Sequence, residues 1–201
     1  SIAPFYMTKT EITWDAFDAF VYKLDEGGKI EPGSHEESEA SRAAAEKTPD
    51  AVTRPSKPYL PPDRGFGHEG FAAIGMSHKN AVEYCKWLTK KTGKNFRLAT
   101  EEEWEHAARA GGSGPFGSSA GNVELTDTKA LADFAVFGEN SVDAPEAVGG
   151  KKPNAFGLYD MLGNVQEWVM GRDGKPVTKG GSFRDDADEL EITDRVPDNR
   201  N

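Results

Sequence analysis

The stretch Phe156-Gly157-Leu158-Tyr159-Asp160-Met161-Leu162-Gly163-Asn164-Val165-Gln166-Glu167-Trp168-Val169 mixes glycines with large apolar side chains and keeps no long helical pattern. Side chains that large are usually buried, and glycines set among them mark bends and close approaches of backbone. A little further on, Lys179-Gly180-Gly181-Ser182-Phe183-Arg184 reads as a tight approach of backbone to backbone before a strand. The C-terminal third is therefore expected to be built from ordered loops and short strands. The whole chain agrees with this: its 201 residues include 22 Gly and 12 Pro, which favours frequent turns and modest regular structure.

Working outward from that stretch, three helices stand out. Thr13 can cap a helix beginning at Trp14, with Asp15 near its positive end and Phe17, Phe20, Val21 and Leu24 at helical spacing until Gly27-Gly28. Ser77 caps a second, running to about Lys91, with Ala81, Tyr84, Cys85, Trp87 and Leu88 on one broad face before Gly93. Thr100-Glu101-Glu102-Glu103 forms a capping box for a third, lined by Trp104, Ala107 and Ala108 up to Gly111-Gly112. The opening Ser1-Ile2-Ala3-Pro4-Phe5-Tyr6-Met7 enters a strand-like pattern at once. Residues 27–63 are polar and low in complexity and read as a surface insertion. Its end, Arg54-Pro55-Ser56-Lys57-Pro58-Tyr59-Leu60-Pro61-Pro62, should be a stiff extended strap, or else a proline-rich ligand for a partner.

Charge and cysteine count exclude several functions. A formal charge of -10 argues against nucleic acid as a partner. The composition fits a globular domain, and no run of about 18 apolar residues marks a transmembrane segment. With one cysteine, Cys85, the chain can form neither an internal disulfide nor a thiolate metal site, and the residue reads as a small buried hydrophobe. His35, His68, His78 and His106 show no paired ligand spacing. His68 lies in a turn-rich loop where a binding role is open, and His106 reads as a partly exposed helix residue.

Four segments in order carry a resemblance: Phe5-Tyr6-Met7-Thr8-Lys9-Thr10-Glu11-Ile12-Thr13, Ala81-Val82-Glu83-Tyr84-Cys85-Lys86-Trp87-Leu88, Phe96-Arg97-Leu98-Ala99-Thr100-Glu101-Glu102-Glu103-Trp104-Glu105, and residues 154–168 followed by Gly180-Gly181-Ser182-Phe183. Together they resemble the formylglycine-generating enzyme family, the sulfatase-modifying factor domain. The resemblance implies a single domain over residues 1–201. Its fold would be the α+β, C-type-lectin-like fold of that family, with few short strands, about three helices and long ordered loops. Family members usually start with a glycine-rich strand ahead of the segment matching Pro4-Phe5-Tyr6 and end with a strand carrying Gly-Phe-Arg. Neither is found here, so the resemblance implies exposed sheet edges that a partner chain could cover.

What the resemblance implies about chemistry is divided. Family enzymes hold copper with two cysteines after the Gly-Gly-Ser segment; here the first position is Asp185 and the second falls near Leu190. No copper and no catalytic residue are therefore expected, and the acidic run Arg184-Asp185-Asp186-Ala187-Asp188-Glu189-Leu190-Glu191 reads as a solvated loop. A related branch performs iron-dependent sulfur chemistry with histidines from another domain, which these 201 residues lack. Calcium transfers better: Asn164 and Glu167 match a family site, with the carbonyl of Val165 as a third ligand, and such an ion would be structural. The alternative is that Asn164 and Glu167 only satisfy local backbone amides. Asn140 could join a second site. The expected function is a non-catalytic scaffold that binds a protein or glycan, or a structural subunit of a larger assembly, extracytoplasmic in the periplasm or cell envelope. Trp14, Tyr59 and Phe66 are candidate contacts, though each would also suit core packing. The alternative is an oxidoreductase of the sulfatase-maturation type, converting cysteine to formylglycine with altered ligands or a missing segment.

Overall fold

The computed structural model describes residues 2–28, 63–119 and 123–198. Nearly all of the expected insertion at 27–63, with its proline strap and Tyr59, lies outside the described residues. The chain divides into two compact units, residues 12–97 and residues 1–11 with 98–201.

In the first unit, helix α1 (Trp14–Val21) starts where Thr13 predicts, the Thr13 hydroxyl accepting from the Ala16 amide at 3.4 Å. It ends earlier than its apolar spacing suggests. Tyr22 closes it, Lys23 turns left-handed at φ 54°, and Leu24–Glu26 form a separate 3-10 turn, which leaves Leu24 partly exposed. Helix α2 (His78–Thr92) is capped by Ser77 and closed by Gly93 in the left-handed region, the conformation a Cβ would disfavour. Its Tyr84 packs with Trp14, Phe17 and Phe20 of α1 in one aromatic cluster, joined by Trp87. The Phe20 ring sits 5.7 to 5.8 Å from the rings of Phe17, Tyr84 and Trp87. Trp14 is thus part of the core and not an exposed contact, the core-packing role also foreseen for it.

The second unit begins its helical part with α3 (Glu101–Arg109), and the capping box is closed in both directions: the Glu103 amide donates to Thr100 Oγ1 at 3.2 Å and the Thr100 amide to Glu103 Oε2 at 2.9 Å. Two residues each make β1 (Ser118–Ser119) and its antiparallel partner β2 (Val123–Glu124). The four-residue α4 (Thr128–Leu131), absent from the sequence reading, is capped by Asp127. A three-stranded antiparallel sheet, β3 (Glu167–Met170), β4 (Pro176–Lys179) and β5 (Val196–Pro197), runs in the order β3-β4-β5. Its β3–β4 register sets Glu167 opposite Lys179 and Val169 opposite Val177. Thr100 bridges Met170 in parallel, which places the start of α3 at the end of β3. Around these elements Trp104, Phe137, Leu131, Val169, Leu190 and Ile192 form the buried apolar core. The mixed helices and small sheets make the fold α+β, and the stretch opening at Phe156 stays a loop until β3.

Candidate functional site

That loop has four residues with positive φ, Gly157 among them at 79°. Asp160 and Asn164 adopt positive φ of 54° and 53°, and Gly163 lies between them at 72°. A Cβ at Gly163 would collide with the Val136 carbonyl oxygen, so the close pass of backbone there requires glycine. The pass is held on both sides: the Asn164 amide donates to Val136 O at 2.7 Å, the Gly163 amide to Gly180 O at 2.8 Å, and the Phe183 amide to Asn164 O at 2.9 Å. The Gly-Gly-Ser segment is therefore a backbone rail against which the loop is fixed.

On this frame Asn164 is almost wholly buried. Its Nδ2 donates to Glu11 Oε2 at 2.7 Å, and its Oδ1 accepts from the Glu146 amide at 2.9 Å. The other Glu11 oxygen accepts from the Val165 amide at 3.0 Å. Glu167 accepts from the indole nitrogen of Trp104 at 2.7 Å, and Asp160 accepts from the Gly149 amide at 2.6 Å. The three residues expected to hold calcium, Asn164, Val165 and Glu167, are thus gathered around Glu11. Sequence reasoning missed Glu11, because it lies 153 positions from Asn164 in an alternating polar segment.

Electrostatics set this cluster apart. Burial pushes the Glu11 carboxyl well above the usual range, and the nearby Glu167 and Asp160 carboxylates push it further. Burial likewise raises Glu167 to about 7 and raises Asp160. Beneath them, the buried Lys179 ammonium lies over the Trp104 ring at 5.5 Å and contacts Glu105 Oε1 at 3.2 Å. Trp104 therefore presents its N–H to Glu167 and its face to Lys179, which fixes the indole from two sides. Among the described residues, no three His, Cys, Asp or Glu side chains converge as ligands of one ion. The oxygens gathered here are instead those of the Asn164 side-chain amide and of the Glu11, Glu167 and Asp160 carboxylates. That set suits calcium rather than a soft metal, and the Asn164 oxygen has a second lone pair beyond the one taken by Glu146.

The other expected positions fall into place one by one. Asp185 Oδ2 accepts from the Ser182 hydroxyl at 2.9 Å and from Gln166 Nε2 at 3.3 Å, while Leu190 is completely buried in the core. Asn140 holds its own turn, its Oδ1 accepting from the Phe137 amide and its Nδ2 donating to the Ala132 and Ala135 carbonyls. Cys85 is half-buried, and burial raises its thiol, which leaves little reactive thiolate. His68 stacks on Trp14 at 5.4 Å, with Nε2 2.8 Å from Asp18 and Nδ1 3.5 Å from Asp63. His106 is exposed on α3, with its ring 6.5 Å from Phe5 and 5.6 Å from Phe156.

The chain belongs to the sulfatase-modifying factor enzyme 1-like domain family, whose match spans residues 1–201. It is 35% identical over 129 residues to the inactive C-alpha-formylglycine-generating enzyme 2 of Bos taurus, covering 59% of this chain and 40% of that protein. It is 31% identical over 115 residues to the formylglycine-generating enzyme of Mus musculus, covering 54% of this chain and 29% of that one. The chain thus spans less than half the length of either relative. Among solved structures, PvdO from Pseudomonas aeruginosa is 29% identical with a TM-score of 0.53, covering 66% of this chain and 58% of its own.

Proposed function

We propose that this domain is a non-catalytic scaffold of the formylglycine-generating type, serving as a binding or structural subunit of an extracytoplasmic assembly. One observation carries the reading. The two positions that resemblance assigns to copper cysteines hold a carboxylate already engaged by Ser182 and Gln166, and a leucine sealed in the core. Copper(I) selects thiolates, and the lone Cys85 is a burial-raised thiol on α2. Copper titration with turnover on a cysteine-containing sulfatase peptide tests it. Neither specific copper binding nor aldehyde is expected; aldehyde formation overturns the reading in favour of an oxidoreductase.

The same reading gives calcium a structural place at Asn164, the Val165 carbonyl and Glu167. Bound there, the ion would supply positive charge beside carboxylates that burial and mutual repulsion disfavour. Calcium at about a hundred times its dissociation constant should raise the unfolding free energy by ~2.7 kcal/mol over chelator. Identical melting in calcium and chelator sinks this part alone.

A further inference from the structure

The three residues expected to hold calcium are themselves held, by two side chains that are not among them. Glu11 takes both of its hydrogen bonds from the loop: Asn164 Nδ2 donates to Oε2 at 2.7 Å and the Val165 amide to Oε1 at 3.0 Å. The Asn164–Val165 peptide is caught at its other end too, where Asn164 O accepts from the Phe183 amide at 2.9 Å. The segment that carries Glu11 is tied to the same loop, Lys9 O accepting from the Tyr159 amide at 2.8 Å. Glu167 is held separately, its Oε2 accepting from the Trp104 indole N–H at 2.7 Å. Trp104 is itself 1% exposed, with the Lys179 ammonium 5.5 Å from its ring, so the indole has little freedom to turn.

We infer that Glu11 and Trp104 are the positioning residues of the calcium site: Glu11 turns the Asn164 amide and sets the Val165 backbone, and Trp104 aims the Glu167 carboxylate. These roles rest on the calcium reading above and add to it two residues that act through the ligands. An asparagine can present either its oxygen or its NH2 to an ion, and only the oxygen binds one. Both Glu11 oxygens accept, so the carboxyl draws the Nδ2 end to itself and leaves Oδ1 facing away. There Oδ1 spends one lone pair on the Glu146 amide and keeps the other. The indole N–H can only donate, so it occupies one Glu167 oxygen; the second, Oε1, takes no hydrogen bond from another described residue. Asn164 needs such fixing, since it lies at positive φ outside any helix or strand that would set its direction. Outer groups of this kind contribute ~10–100-fold to metal affinity.

The test is calorimetric titration of calcium into the chelator-stripped, full-length natural protein, repeated on Glu11→Gln, Trp104→Phe and, as a control, Ile192→Val. Glu11→Gln keeps the shape of the side chain but sets an NH2 against one of the two loop donors. It and Trp104→Phe should each weaken calcium binding by ~10–100-fold at a temperature where every variant is folded. Ile192 is sealed in the core with its amide on Pro115 O, so Ile192→Val should lower the melting temperature yet leave the dissociation constant within about twofold. Equal weakening in this control overturns the proposal, and unchanged affinity in either test variant removes that residue. A loss well beyond about a hundredfold for Glu11→Gln makes Glu11 a ligand and overturns its positioning role. Should a variant fold poorly, hydrogen exchange in the unsubstituted protein replaces it. Calcium should slow exchange of the Val165 amide and of the Trp104 indole N–H, and exchange that is unchanged or faster overturns the proposal. No calcium uptake by the natural protein at ~1 mM overturns the calcium reading and these roles together. Calcium uptake with equal affinity in natural protein and test variants overturns the roles alone.

Discussion

Around Phe20, in residues 12–97, burial is achieved with rings: Phe17, Tyr84 and Trp87 surround it at under 6 Å, and the helices beneath are set by their caps. Around Glu11, in the second unit, burial is achieved with charge: a carboxylate sits among two others, held by one side-chain amide and one backbone amide. The aromatic region gains stability directly from apolar area removed from water. The carboxylate region spends stability on desolvation and recovers it through hydrogen bonds, an arrangement that fixes one conformation of an irregular loop. The first region should therefore respond mainly to lost volume and the second to pH, cations and lost hydrogen-bond donors.

The largest effect should come from Phe20→Ala, which leaves a hole in the ring cluster and costs ~3–5 kcal/mol in urea unfolding. A loss below about 1 kcal/mol would mean that the cluster closes around the gap and that the contrast is drawn too sharply. Next is pH. A carboxyl whose folded-state value is raised keeps its proton where the unfolded chain has released it, so stability falls as pH rises through that interval. For Glu167 the interval runs from 4.5 to about 7. With chelator present, unfolding free energy should fall on the order of 2 kcal/mol across it, and Glu167→Gln should flatten the fall. An unchanged slope in the variant would remove Glu167 from the account.

The aromatic region has its own, alkaline window. Burial raises Tyr84 from 10.0 to about 12, so stability should fall again as pH climbs through that range. Tyr84→Phe should abolish a loss on the order of 2 kcal/mol there and leave the acidic window untouched. The smallest effect expected is for Trp104→Phe, which keeps most of the ring but removes the donor to Glu167, at ~1–2 kcal/mol by denaturant titration. Should it cost as much as Phe20→Ala, packing rather than the hydrogen bond would be its main contribution.

Local signals were legible wherever the cause was local. Thr13, Ser77 and Thr100 each cap the helix their side chains announce, because a cap depends on amides two or three residues away. The early end of α1 was not legible: Leu24 keeps the helical spacing, yet Lys23 turns left-handed and the chain restarts as a 3-10 turn. Asn164, Val165 and Glu167 could be singled out by resemblance, but nothing near them in the chain indicates Glu11.

The amino-acid sequence by itself determined where three helices begin, the loop character of the stretch from Phe156 and the family, since these rest on residue type and short spacing. Only the tertiary structure decided that Glu11 meets Asn164 and that Leu190 is sealed where a ligand would be sought. Those depend on which distant segments share one volume, and a buried carboxylate looks like any surface glutamate until the fold removes its water.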